Sequence, residues 1–245
     1  MRVAAIYDIH GNLPALEAVL EEIQRAKVDR IVVGGDVLPG PMPRDTLARL
    51  LDFDLPMQFI QGNGDREVLA RMRGMEGGTV PEQFREIIRW TAQQLDPEHE
   101  TLLASWPAIL RVEIPGLGMV LFCHATPHSD TEIFTRRSPE DRLLPIFDGL
   151  DVPVVICGHT HMQFDRTIGR TRVVNAGSVG MTFGQPGAYW LLLGPDVQQR
   201  HTSYDLAKAA DLIRDTEYPQ AHEFAAGNVL QPPSEESILE AYGAR

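Results

Sequence analysis

Aspartate, asparagine and histidine recur in this chain in five short blocks: Asp8-Ile9-His10, Gly35-Asp36, Gly62-Asn63, Cys123-His124 and Gly158-His159-Thr160-His161. Each block ends or directly follows an apolar run. Seven side chains in them offer oxygen or nitrogen to a metal: Asp8, His10, Asp36, Asn63, His124, His159 and His161. Carboxylate, amide and imidazole without thiolate suit hard or borderline divalent ions. Two such ions held close together stabilise both oxygens of an in-line displacement at phosphorus. Taken singly, the blocks say little. Asp-x-His is frequent, Gly-Asp is commonly a turn, and His-x-His is either a strand with both rings on one face or a pair of loop histidines. Their shared place at the ends of apolar runs makes the combination informative.

Ligands so far apart in sequence meet only if their strands share a sheet. Residues 2–7 read as a strand and 14–27 as a helix, with Leu16, Val19, Leu20 and Ile23 on one face. Strands at 30–33 and 56–60 enclose a helix at 43–51. This β-α-β-α-β order predicts a parallel sheet covered by helices. Its ligands lie beyond the carboxyl ends of the strands, where Asp8, Asp36 and Asn63 fall. Residues 66–106 are polar and helical, with Gly74, Gly77 and Gly78 as a break and Trp90 and Trp106 as anchors on the core. They form a cap-like segment. Further strands follow at 110–114, 119–123, 154–157, 172–175 and 188–193. Two sheets packed face to face account for both halves. The expected fold is α/β, a four-layer α/β/β/α sandwich of two mixed β-sheets flanked by helices, in a single domain over residues 1–245. The tail from 205 to 245 is helical and broken at Pro219 and Pro232-Pro233. Ala207, Ala210, Leu212 and Ile213 are expected to pack on the body, and residues 234–245 to cap a partner subunit in a homodimer or to fray.

Composition narrows the partners. The chain is 43% hydrophobic and 23% charged, ordinary for a globular protein, and no run reaches the roughly 18 apolar residues of a membrane span. No secretory signal is read at the start, and the expected compartment is the cytoplasm. Lys and Arg total 22 against 34 Asp and Glu, a formal charge of −12. Nucleic-acid affinity rests on a basic footprint, so long DNA or RNA is disfavoured. The clusters Arg66, Arg71, Arg73 and Arg136, Arg137 read as solvated faces. Cys123 and Cys157 each close an apolar run and read as reduced core residues.

The blocks, in their order, resemble the calcineurin-like metallophosphoesterase superfamily, in its compact bacterial and archaeal phosphodiesterase branch. The matching motifs are Asp8-Ile-His10, Gly35-Asp36-Val-Leu, Gly62-Asn63-Gly64-Asp65, His124 and Gly158-His159-Thr160-His161, with Asn175-Ala-Gly-Ser-Val-Gly180 as a closing glycine-rich turn. The resemblance implies that Asp8, His10, Asp36 and His161 hold one ion and Asp36, Asn63, His124 and His159 a second. Asp36 then bridges, its two oxygens reaching two ions. It also implies two divalent metal ions, with manganese expected and iron, nickel or zinc as alternatives. A metal-bridging hydroxide would be the nucleophile.

Many members of the superfamily place a histidine after the asparagine, to protonate the leaving group. Here that place holds Gly64, as is common in the compact branch. General acid help is typically worth about 10²–10⁴-fold. His128 is the candidate substitute, beside Asp36 and Asn63 in the catalytic set. Asp65 is left to hold the loop or a metal ligand. Asn12, Asn63 and Gly64 are expected to face the phosphate, although Asn12 suits a turn equally well. Ser178 reads as a loop-stabilising hydroxyl. The expected activity is hydrolysis of a small phosphoester, a phosphodiester foremost. A phosphomonoesterase, a nucleotide pyrophosphatase and a catalytically weak metal-binding scaffold stand as alternatives.

Overall fold

Side chains of strand β1 (Val3–Ile6) alternate between two cores. Ala4 and Ile6 join a cluster with helical residues, whereas Val3, Ala5 and the following Tyr7 join one formed by strands. This period of two places a sheet between two apolar layers. The computed structural model describes residues 1–75 and 82–243, the Gln83 side chain apart. Gly77 and Gly78, expected as part of a break, lie outside these residues.

The first sheet contains β1, β2 (Arg30–Val33), β3 (Met57–Phe59), β9 (Ala188–Leu193) and β10 (Val197–Thr202), in the order β10-β9-β1-β2-β3. β1, β2 and β3 run parallel, with Val3 opposite Arg30 and Ile31 opposite Met57. The second sheet contains β4 (Ile109–Ile114), β5 (Gly118–Cys123), β6 (Val154–Cys157), β7 (Phe164–Ile168) and β8 (Thr171–Asn175), in the order β4-β5-β6-β8-β7. Its three inner strands are parallel and its two edges antiparallel. The sheets face each other across Val3, Ala5, Tyr7, Phe122, Ile156 and Leu191. Helices α1 (Leu13–Ala26) and α2 (Pro43–Leu51) cover the outside of the first sheet, and α6 (Glu140–Phe147) that of the second. The result is the four-layer α/β/β/α sandwich expected from the sequence.

Helices α3 (Asn63–Met72), α4 (Glu82–Gln93) and α5 (Pro97–Ser105) form the cap-like segment. Trp106 is anchored as expected, stacked on Phe59 with ring centroids 4.9 Å apart. Trp90 meets Tyr218 edge-on at 5.4 Å and so anchors the cap to the C-terminal tail. The tail comprises α7 (Leu206–Arg214), α8 (Ala221–Phe224), a π-helical turn (Ala225–Leu230) and α9 (Glu235–Tyr242). Its buried face is Ala209, Ala210 and Ile213; Ala207 and Leu212, expected inside, are exposed. Arg136 and Arg137 reach Glu235 and Glu236 of α9, each at 2.6 Å. The tail therefore lies on its own chain.

Three elements escape the sequence reading. β7 and β10 are edge strands with polar outward residues, so neither carries a long apolar signal. α6 is eight residues long and contains Pro145, which argues locally against a helix. Among the described residues, no helix is long and apolar enough to cross a membrane.

Phe122 is fully buried between the sheets. Phe122→Ala should cost about 3–5 kcal/mol. Urea unfolding should show this as a lower midpoint at unchanged slope.

Candidate metal centre

All seven expected ligands lie at one edge of the paired sheets. Asp8 and His10 follow β1, Asp36 follows β2, Asn63 opens α3 and His124 follows β5. His159 and His161 sit in the loop after β6 and are not strand residues. Their rings therefore diverge. His161 Nε2 comes within 3.3 Å of His10 Nε2, whereas the His159 ring packs edge-on against His124 at 5.2 Å between centroids.

The backbone is unusual at these ligands. Asp8, His10, Asp36, His159 and His161 have φ between 49° and 67°. Among the described residues, Lys27 at the end of α1 is the only other non-glycine with positive φ. Left-handed backbone at a non-glycine residue costs on the order of 1–3 kcal/mol and clusters at functional sites.

Both central carboxylates divide their oxygens. Asp8 Oδ2 accepts the His159 amide at 2.9 Å, and its Oδ1 is buried without a hydrogen-bonded partner. That oxygen faces ring nitrogens: His161 Nε2 at 3.3 Å, and His10 and His124 Nε2 each at 3.9 Å. Asp36 Oδ1 accepts the Gly64 amide at 2.7 Å, and Oδ2 faces His124 Nε2 at 3.5 Å and His10 Nε2 at 3.8 Å. Asp36 is expected to reach two ions with its two oxygens; here Oδ1 also accepts the Gly64 amide, and Oδ2 faces imidazoles of both ligand groups. Glycine is required alongside, because a Cβ on Gly62 would lie 2.2 Å from Asp36 Oδ1.

Three histidines are fixed by backbone carbonyls. Nδ1 of His10, His124 and His161 lies 3.3, 3.0 and 2.6 Å from the carbonyls of Pro39, Gly34 and Met181. Donation there turns each Nε2 inward, where it can serve as a ligand once it carries no proton. The Asn63 side-chain oxygen also faces acceptors, with His124 Nε2 at 3.1 Å and His159 Nδ1 and the Asp130 carbonyl at 3.0 Å. A buried orphan carboxylate oxygen and converging ring nitrogens fit a divalent cation. Asp8, His10 and His161 form one compact ligand group, and Asp8, Asp36 and His124 another.

The charges agree with this fit. Burial opposes the charge on Asp36, but His124, His10 and His159 outweigh it and hold its pKa below the usual carboxylate range. Burial likewise opposes Asp8, and His161 and His124 lower its pKa. Burial lowers His124, but Asp36 and Asp8 push it up to about 10. His159, pressed by burial and by His124, falls to about 4 and is neutral at pH 7.

Other expected residues divide. Asp65 holds the loop: its buried carboxylate accepts the amides of Asp36, Gly62 and Leu38 at 2.8–3.0 Å. Ser178 stabilises a turn, donating to the Asp8 carbonyl at 2.7 Å and accepting the Met181 amide at 2.8 Å. Asn12, expected to face phosphate, takes the turn role. It is fully buried, accepting from the Ala15 amide and donating to the Gly180 carbonyl at 2.9 Å. His128, expected as a general acid, is exposed on the Thr126–Ser129 turn and is not among the cavity residues. Gly64 does line the cavity, and a Cβ there would lie 2.3 Å from the Leu38 carbonyl.

Five of the ligands, His10, Asp36, Asn63, His159 and His161, line a cavity of about 560 Å³, with Asp8 and His124 buried behind them. The cap-like segment expected at 66–106 supplies part of its wall through Arg66 and Glu67 of α3 and Phe84, Ile87 and Ile88 of α4, whereas the contribution of Tyr218 and Phe224 from the tail was not read from the sequence. No local motif marks them, because the two segments meet only in the folded chain.

His124 must lose its proton to coordinate a metal. Calorimetry of manganese binding at pH 7, in buffers of different ionisation enthalpy, should show net proton release. Affinity should fall as pH is lowered.

Residues 1–195 match the calcineurin-like phosphoesterase superfamily domain. An uncharacterized protein of Methanocaldococcus jannaschii is 33% identical over 164 residues, 66% of this chain. The match covers 63% of the length of that curated relative. A metallophosphoesterase from Sphaerobacter thermophilus superposes with a TM-score of 0.71 at 27% identity, over 94% of this chain and 99% of its own. A hypothetical protein from Pyrococcus horikoshii reaches a TM-score of 0.78 at 20% identity, over 95% and 99%, and shares the fold. With the motifs in order, the ligands converging and the domain match spanning residues 1–195, this chain belongs to the calcineurin-like phosphoesterase superfamily.

Proposed function

We propose that this chain hydrolyses phosphoester bonds with two divalent ions, manganese foremost, and prefers phosphodiesters. The observation that carries this reading is the pair of divided carboxylates: Asp8 Oδ1, buried without a hydrogen-bonded partner, and Asp36 Oδ2, on the cavity lining, both face imidazole nitrogens. Asp8, His10 and His161 would hold one ion; Asn63, His124 and His159 the other, with Asp36 Oδ2 turned to both. When bound, such ions supply Lewis acidity at the phosphoryl oxygens and lower the pKa of water for attack.

The remaining work falls to the chain. Asp65 and the Gly64 amide fix the Asp36 loop against the start of α3, so Oδ2 keeps its aim. Neutral Asn63 adds a ligand without adding repulsion toward an anionic phosphate. Residue 64 offers no acid to the leaving group, which favours esters whose leaving groups depart without a proton. Arg66, on the wall, is already paired with Asp130 at 2.6 Å and Glu67 at 2.7 Å. A diester carries one charge and two organic groups, and suits a cavity with paired charges and apolar walls better than a dianionic monoester does.

The test is hydrolysis of bis-p-nitrophenyl phosphate by chelator-stripped protein with manganese titrated back, p-nitrophenyl phosphate being run alongside. Manganese should restore turnover, with the diester favoured. Faster monoester hydrolysis would move the assignment to a phosphatase, and inactivity with manganese, iron, nickel and zinc would remove it. Asp36→Asn should lower kcat by about 10²-fold or more; near-wild-type turnover would remove the bridging role.

A further inference from the structure

One cavity joins metal ligands to a wall of different character. His10, Asp36, Asn63, His159 and His161 share this lining with Phe84, Ile87 and Ile88 of α4 and Tyr218 and Phe224 of the tail. We infer that the wall of α4 and the tail forms a specificity chamber that seats a neutral, apolar, aryl-sized ester group of the substrate, with the C-terminal tail as its outer wall. The inference rests on the phosphodiesterase reading.

Size is the first argument. Pockets that enclose small organic molecules measure about 300–1,000 Å³. At about 560 Å³, this cavity is far larger than a phosphate needs.

The wall is also built rather than incidental. Ile87 of α4 packs in one buried cluster with Tyr218, Phe224 and Val229 of the tail. Tyr218 meets both the Trp90 ring, at 5.4 Å, and the Phe224 ring, at 6.0 Å, edge-on. Tyr218 and Phe224 are thus held while still lining the space. Phe84 is 44% exposed although it is a large apolar residue, and it lies on the cavity. An exposed apolar face that shares a cavity with polar groups is the expected form of a ligand site.

Charge sets the class of group. Among the described lining residues Arg66 is the only Lys or Arg, and it is engaged by Asp130 and Glu67. Glu223 stands exposed in the same lining. A second anionic group would meet this carboxylate without a free cation, whereas a neutral aryl group would bury apolar surface. The superfamily domain ends at residue 195, so Tyr218 and Phe224 lie outside the segment that defines the family.

Diphenyl phosphate and dimethyl phosphate carry the same charge and differ in apolar surface, so they make a matched pair of probes. Calorimetry on the manganese-loaded full chain should show diphenyl phosphate binding about 10–100-fold tighter. Phe84→Ser and the volume-sparing Phe224→Leu, each checked by circular dichroism and Tm, should reduce that ratio by about 3–10-fold. Quenching or a shift of Trp90 fluorescence on binding diphenyl phosphate, lost in Trp90→Phe, would place the ring beside Tyr218. Equal affinity for the two probes, or a ratio untouched by both variants, overturns the chamber even where bis-p-nitrophenyl phosphate is turned over. Failure of turnover with an intact affinity ratio overturns the hydrolase reading instead.

Discussion

Asp36 accepts the Gly64 amide through one oxygen and faces two imidazoles with the other, and Asp8 repeats the arrangement with the His159 amide. Much of the molecule serves these two divided carboxylates. Asp8 belongs to a loop of the first sheet and His159 to a loop of the second, so their bond ties the two sheets together at the site. The inter-sheet core of Val3, Ala5, Tyr7, Phe122 and Ile156 then fixes how far apart those loops stand. Close packing resists small displacements, which is why a site split across two sheets can hold its geometry.

The arrangement has a cost in backbone conformation. Five ligands are left-handed, and Asp and His tolerate that region better than bulky residues do. Such strain persists only where surroundings over-determine it. Asp65 contributes by gathering three amides onto one buried carboxylate. Burial and the Asp36 charge push its pKa up to about 8, while the amide donors of Gly62 and Leu38 oppose the rise.

Much of this was legible in the sequence, for physical reasons. β1, β2, β5 and β6 are largely buried strands that read as short apolar runs, and ligands follow each of them. α1 shows a clean helical face. What was not legible depends on contacts between distant segments or on backbone angles. Nothing near Asp36 says that one oxygen also accepts the amide of residue 64. Nothing near Tyr218 or Phe224 says that they meet α4. Asn12 precedes a helix and has an amide suited to phosphate, but its cap on Ala15 and its bond to Gly180 commit both ends of that amide. His128 has suitable chemistry and an unsuitable place.

The Leu38 carbonyl stands where a side chain at residue 64 would begin, 2.3 Å from the position of its first carbon. A side chain at residue 64 would thus meet main chain, and placing a histidine there requires the 36–39 loop to shift. That loop also carries the Asp36 amide and the Leu38 amide that Asp65 holds. Residue 64 and the aim of Asp36 are therefore one backbone decision: a side chain at the first moves the loop that orients the second.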